Sequence, residues 1–175
     1  KKAMMENLWI DKQGVFAEYR DAIGIIHPVP EAPSIYFPIE FGLVEKHKAQ
    51  RMLLYLCKNF RWQKGLIYPS CYFPSICYQA PIVSETLNTA LASYFAGEKE
   101  IACNMLFSCF RTYDTGILHN DFYAPFNPQA GCSDGCIDIL DTASLFQRTV
   151  VEGLFGIRPE IHKRKLTIKP GFPHG

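Results

Sequence analysis

No stretch of this 175-residue sequence approaches the ~20 consecutive apolar residues that a bilayer-spanning helix needs. The opening Lys1-Lys2-Ala3-Met4-Met5 runs into Glu6 and Asn7 rather than into an apolar segment, so it does not read as a signal peptide. A surplus of one charge is missing too. Formal net charge is +1, which points to neither a nucleic-acid nor a membrane-surface partner. The one basic cluster, His162-Lys163-Arg164-Lys165, leads into an alternating strand and reads as a solvated turn and edge strand. Cysteine pairing signals are equally scarce. Seven cysteines form no C-x-x-C pair, and their odd number excludes a complete disulfide framework. Cys132-x-x-x-Cys136 is compatible with a metal or a disulfide, but the signal is weak. A Gly-rich phosphate loop, a G-x-S-x-G elbow and an H-E-x-x-H pair are all absent, so no cofactor and no metal is expected.

What is present is an ordinary globular composition, 48% hydrophobic and 20% charged, in a chain long enough for one real core. Residues 8–27 alternate around a turn at Asp11-Lys12-Gln13-Gly14 and read as a β-hairpin or structured loop. Pro28, Pro30, Pro33 and Pro38 exclude a helix over 27–38. A first helix spans about 44–60, with Ala49, Met52, Leu53, Leu56 and Phe60 on one face. Cys57, Cys103 and Cys109 fall inside apolar helical patterns, where a thiol serves as a small hydrophobe. A second helix runs from Ser84, an N-cap after Pro81, to Ala96, with Gly97 as its stop. A third follows almost at once, from near Glu98 to about Tyr113, forming an antiparallel αα-hairpin. A fourth covers about 137–155, and Leu166–Lys169 is a strand. Long aromatic loops lie between these elements, and such loops in a compact domain are usually functional. The 84–112 hairpin resembles a tetratricopeptide unit, but the other helices do not repeat it.

Three stretches together carry a family resemblance. One is Gly14-Val15-Phe16-Ala17-Glu18-Tyr19-Arg20-Asp21, followed by Gly24 and His27-Pro28. The next is Ser84-Glu85-Thr86-Leu87-Asn88-Thr89-Ala90-Leu91-Ala92 with Ala96-Gly97. The third, and most specific, joins Asp134-Gly135 to Val151-Glu152-Gly153-Leu154-Phe155-Gly156-Ile157-Arg158-Pro159 and Ile168-Lys169-Pro170-Gly171-Phe172-Pro173. In this order the chain resembles the six-hairpin glycosidase superfamily, most nearly an uncharacterised bacterial branch. The first stretch is also loosely similar to inverting α-L-fucosidases of that superfamily. The implied fold is mainly α, an (α/α)6 toroid. Twelve helices of ~11 residues with loops of ~5 need roughly 200 residues, so the expectation is a partial ring. Residues 1–160 would be its C-terminal half and 161–175 the start of a C-terminal β segment. The resemblance also implies a periplasmic or extracellular setting.

Glycoside hydrolysis needs two carboxyl groups across the scissile bond, ~6.5–9.5 Å apart where a water must fit between them. The acid of the pair must keep its proton near neutral pH, which burial among apolar groups achieves. Glu18, flanked by Phe16 and Tyr19, is one candidate; the plain alternative is a surface carboxylate pairing with Arg20 or bracing a loop. Asp134 is the candidate base, because the resemblance places an Asp-Gly before the last inner helix; Asp-Gly is also an ordinary turn. Glu85 matches the family pattern in the first turn of its helix, where the dipole favours a carboxylate whatever the function. His27 and Asp21 are candidates for binding sugar hydroxyls, or for loop structure. Trp62, Tyr72 and Phe122 are candidates for stacking on sugar rings, or for lining the core. The expected function is a glycoside hydrolase-like domain, inverting, acting on an oligo- or polysaccharide by general acid/base catalysis. Its partners would be the carbohydrate and the N-terminal half of the toroid. A non-catalytic carbohydrate-binding or scaffolding domain is the alternative, and a tetratricopeptide-like interaction module a third reading.

Overall fold

A computed structural model describes residues 1–61, 65–70, 82–112, 126–127, 132–133 and 141–173. A short helix α1 (Lys2–Asn7) opens the chain. Two small antiparallel hairpins follow, β1 (Trp9–Ile10) with β2 (Val15–Phe16) and β3 (Tyr19–Arg20) with β4 (Ile26–His27). Next come α2 (Ala32–Glu40), α3 (Lys46–Asn59), α4 (Val83–Ala96) and α5 (Lys99–Thr112). The strand pair β5 (Phe126–Asn127) and β6 (Cys132–Ser133) precedes α6 (Asp141–Arg148), which continues as a π-helical turn, Thr149–Leu154. The hairpin β7 (Ile157–Glu160) and β8 (Lys165–Ile168) closes the fold around a single 3-10 turn, Ile161–Lys163. There Glu160 holds Lys163 and Lys165, so the basic cluster sits in a paired, exposed turn.

Helix α4 is the centre of the arrangement. It packs against α2 on one side and α6 on the other, with α5 folded back on it as the second arm of a hairpin. Gly97 makes that reversal possible: its φ of 86° suits glycine, and Glu98 N–H closes on Ser93 O. Helix α3 backs α2, burying Ala49, Met52, Leu53 and Leu56 along the predicted face, with Phe60 just past its end. These side chains join Val15, Phe16, Ile35, Ile67, Ala90 and Met105 in the main core. A second core, of Leu66, Val83, Leu87, Leu106 and Cys109, receives Leu145, Phe146, Val150 and Leu154 from the last helix. Buried hydroxyls on α4 cost little, because Thr89 and Ser93 each donate to the carbonyl four residues back.

Two expectations about helix starts are corrected. The proline-rich stretch is not a loop throughout: Ala32–Glu40 is α2, with Glu31 as N-cap. Pro33 stands in the first turn, where a backbone N–H has no intrahelical partner to lose. Pro38 lies inside the helix and forfeits one hydrogen bond. Burial of Ala32, Ile35, Tyr36, Pro38 and Ile39 offsets that loss, each large apolar side chain contributing ~1.5–3 kcal/mol. The N-cap of α4 is Ile82 rather than Ser84. The Ile82 N–H is bonded to Ile67 O, and Thr86 Oγ1 donates to Ile82 O while accepting from Ile67 N–H. A strand-like clamp to residues 66–67 therefore does what a serine cap would have done. The fourth helix begins at Asp141 within the described residues, and its last stretch is π-helical.

Gly156 sits where the last helix turns into β7, with φ of 67° and its carbonyl accepting from Lys169 N–H. A Cβ there would collide with the Lys169 carbonyl. Gly156→Ala should therefore lose at least ~2 kcal/mol of stability, since it combines a left-handed backbone with a backbone clash. Urea unfolding measures this, and an unchanged midpoint would contradict the account.

Candidate active site

Three helix starts converge beside α4. Glu31 caps α2, Glu85 lies in the first turn of α4, and Asp141 in the first turn of α6. Their carboxyls act on one another electrostatically. Burial first, then the charges of Glu31 and Asp141, push Glu85 up from 4.5 to about 7, against a lowering hydrogen bond from Tyr36. Glu31 is raised by its own burial and by Glu18 beside it. Helix dipoles favour ionised carboxylates at N-termini, so the upward shift means burial outweighs the dipole here.

One turn further along α2, Tyr36 is 2% exposed, and its hydroxyl meets both Glu85 and Asn88 of α4. Of the two, the Glu85 carboxylate raises the phenol's ionisation and the Asn88 amide lowers it. Burial and the neighbouring carboxylates hold the phenol far above its ordinary ionisation range. Among the described residues, Glu85 Oε2 is buried without a hydrogen-bond partner. A carboxyl that keeps its proton near neutral pH can serve as a proton donor.

Glu40, one turn beyond Tyr36, has a side chain only 2% exposed. Helical side chains lean toward the N-terminus, which brings Glu40 back toward Tyr36, whose phenol feels its charge. Arg148 of α6 holds Glu40 Oε1 at 2.5 Å and also binds Glu152 of the π turn at 2.9 Å. Glu40 Oε2, like Glu85 Oε2, is buried with no partner among the described residues. Sequence reasoning missed Tyr36, Glu40 and Asn88. Their signal was i, i+4 spacing on α2 and i, i+3 spacing after Glu85 on α4, legible only once α2 is known to be a helix.

Of the sequence candidates, Glu85 stands at the centre of this cluster. Glu18 is exposed at its rim, near Glu31. The aromatic enclosure expected around Glu18 is not there: Phe16 turns into the core, and Tyr19 stacks on His27 at 4.3 Å. Nor does Arg20 serve it, since Arg20 donates to Asn7 O. His27 and Asp21 form a bracing pair 3.0 Å apart. Asp21 Oδ1 also accepts from the N–H groups of Ile23 and Ile25, and its carboxyl is held below its usual range, chiefly by the His27 hydrogen bond. Through Glu18 N–H to His27 O, 3.3 Å, this small hairpin fixes the backbone at Glu18. Asp134, Trp62, Tyr72 and Phe122 lie outside the described residues.

No family model and no curated protein matches the chain. Solved structures do. A mannosylglycerate hydrolase from Thermus thermophilus, solved with glucose, aligns at TM-score 0.61 and 15% identity, over 83% of this chain and 38% of that one. Neutral trehalase from Saccharomyces cerevisiae aligns at 0.58 and 14%, over 93% and 34%. Unsaturated glucuronyl hydrolase from Bacillus sp. aligns at 0.54 and 10%, over 85% and 49%. All three are six-hairpin glycosidases. The fold is a partial six-hairpin toroid. At these identities the likeness is one of fold, and the chain spans between a third and a half of the lengths of these neighbours. In this six-hairpin arc the fold class read from the sequence holds, mainly helical with short strands. A strand pair in the middle, β5–β6, adds to those expected at the start and end.

The Glu85 shift has a consequence for stability. In the unfolded chain its carboxyl ionises near 4.5, in the folded chain near 7. Between these values the folded state binds more protons, so Glu85 costs stability as pH rises, reaching roughly 3 kcal/mol above pH 7. Glu85→Gln keeps an acceptor for Tyr36 and cannot ionise. It should match the wild type near pH 4 and exceed it by up to ~3 kcal/mol at pH 8 in urea unfolding. A difference that does not change with pH would refute the shift.

Proposed function

We propose that the chain belongs to a glycoside hydrolase that cleaves glycosidic bonds in an oligo- or polysaccharide by general acid/base catalysis, with Glu85 as the general acid. One observation carries this: a largely buried carboxyl raised to about 7, one of whose oxygens, Oε2, is buried and unpartnered among the described residues. A proton donor works best when its pKa lies near the operating pH. The six-hairpin fold, and neighbours that are hydrolases by name, support the reading. In it the chain supplies the second half of the ring. Asp134, from its match to the family pattern, acts as the base that activates water from the opposite face of the sugar, giving inversion. Trp62, Tyr72 and Phe122 stack on sugar rings. The charged groups that act on Glu85 among the described residues are the carboxyls of Glu31 and Asp141. That negative balance favours a neutral sugar over an anionic one.

The test is hydrolysis of a panel of neutral oligosaccharides and aryl glycosides by the wild type and Glu85→Gln. Loss of the acid should cut kcat about 10²- to 10⁴-fold on unactivated substrates. It should cut much less on aryl glycosides, whose leaving groups need no proton. Sugar binding without turnover in the wild type would favour the non-catalytic carbohydrate-binding alternative. Full activity in Glu85→Gln would remove Glu85 from the mechanism.

A further inference from the structure

The closing hairpin is built with its polarity reversed. Its register pairs Ile157 with Ile168 and Pro159 with Leu166 on one face, and Arg158 with Thr167 and Glu160 with Lys165 on the other. Residues paired directly across an antiparallel ladder share a face, so one face is apolar and the other polar. Such a sheet ordinarily lays its apolar face on the core and its polar face in water. Here the polar row turns to the helices. Arg158 Nε donates to Glu152 O at 2.9 Å, and its guanidinium lies 3.8 Å from the centre of the Phe95 ring. The apolar row turns to solvent, with Leu166 58% and Ile168 65% exposed, and Ile161 at the tip 84% exposed. Ile157 and Pro159 are exposed beside them. At the hairpin's base Phe155 and Phe172 are half exposed and meet edge to face at 5.8 Å.

We propose that this apolar face is the contact surface of a two-fold dimer, covered by the same face of a second copy of the chain. The inference is independent of the hydrolase reading. Size is the first argument for that occupant. Ile157, Pro159, Ile161, Leu166 and Ile168 leave on the order of 500 Å² of apolar surface open, toward the upper end of the largest patch on an ordinary monomer. With the polar rim around it, such a patch approaches the roughly 800 Å² per partner of a stable interface. Charge is the second argument. The ions of the hairpin neutralise one another within it, since Glu160 binds Lys163 through Oε2 at 2.5 Å and Lys165 through Oε1 at 3.3 Å. A face whose flanking charges are already paired does not select a partner of opposite sign, and it lies on an identical face without repulsion. An isologous contact uses one patch twice, so a flat and internally neutral face suits it. The turn's other basic groups, His162 and Arg164, sit at the tip. Stacking the two hairpins antiparallel, ~10 Å apart, keeps those tips at opposite ends of the contact.

Sedimentation equilibrium of the purified chain, from low micromolar to near-millimolar concentration, tests this. A monomer–dimer equilibrium is expected. Ile168→Lys and Leu166→Lys each place a charge in the middle of the contact, and the two-fold axis places it there twice. Each should raise the dimer dissociation constant about a hundredfold or more, because the buried ammonium has no partner. Both positions are exposed in the single chain, so far-UV circular dichroism should stay unchanged, and either variant decides the question if the other does not fold. Leu54→Lys, at an exposed leucine on the outer side of α3, should leave the equilibrium as it is. A chain that stays monomeric over the whole range overturns the proposal and leaves the face to a partner of another kind. A dimer that Ile168→Lys and Leu166→Lys leave intact overturns it as well, since another surface would then hold the two copies.

Discussion

The hydroxyl of Tyr36 joins α2 to α4, and the chemistry of the site depends on that junction. Tyr36 is a core residue on its ring side and a polar one at its tip, so it can be buried only where partners wait for the tip. Glu85 and Asn88 are the polar groups of α4 that act on that tip. Packing of the two helices also holds the Glu85 carboxyl away from water, which raises its affinity for a proton, while the Tyr36 hydroxyl lowers it.

Around that junction the fold concentrates like charges. Glu31, Glu85 and Asp141 begin three adjacent helices, with Glu18 beside the first. A lone carboxylate at a helix start is stabilised by the dipole, but carboxyls crowded together and partly buried cannot all ionise cheaply. The cluster resolves this by leaving its most buried member partly protonated. Glu40 resolves the same problem differently, through Arg148. Glu85 is thus raised where Glu40 is paired with a guanidinium.

The sequence was most legible where local chemistry and tertiary packing agree. The apolar stripe from Ala49 to Phe60 and the Gly97 reversal are of this kind, and the structure places both as read. Glu85 was legible as a first-turn carboxylate but not as the centre of the site, because its burial comes from α2, a helix that four prolines argued away. Once burial outweighs the propensity cost of Pro38, Tyr36 and Glu40 fall on one face, and no residue-level pattern could have shown that in advance. The π-helical end of the last helix was illegible for a related reason. There Thr149 hydroxyl bonds to Leu145 O and Leu87 O, and Gly153 lets the Tyr94 ring approach closer than any Cβ would allow, both tertiary facts.

A fold shared with glycosidases does not make a hydrolase, since one scaffold hosts many functions and some hosts lose their chemistry. The argument for activity must come from the site, and here it comes from something the fold does not require. A toroid arc needs α2, α4 and α6 to pack, and apolar side chains at positions 40 and 85 would do that better than carboxyls. Both acids instead carry a buried oxygen with no partner among the described residues, a cost of ~1–3 kcal/mol each even when neutral. Such costs persist where a ligand's hydrogen bonds are the missing partners. The Arg148 clamp keeps Glu40 from rotating away to satisfy itself elsewhere. The unpaired oxygens, more than the helical ring, mark this end of the arc as a candidate ligand site.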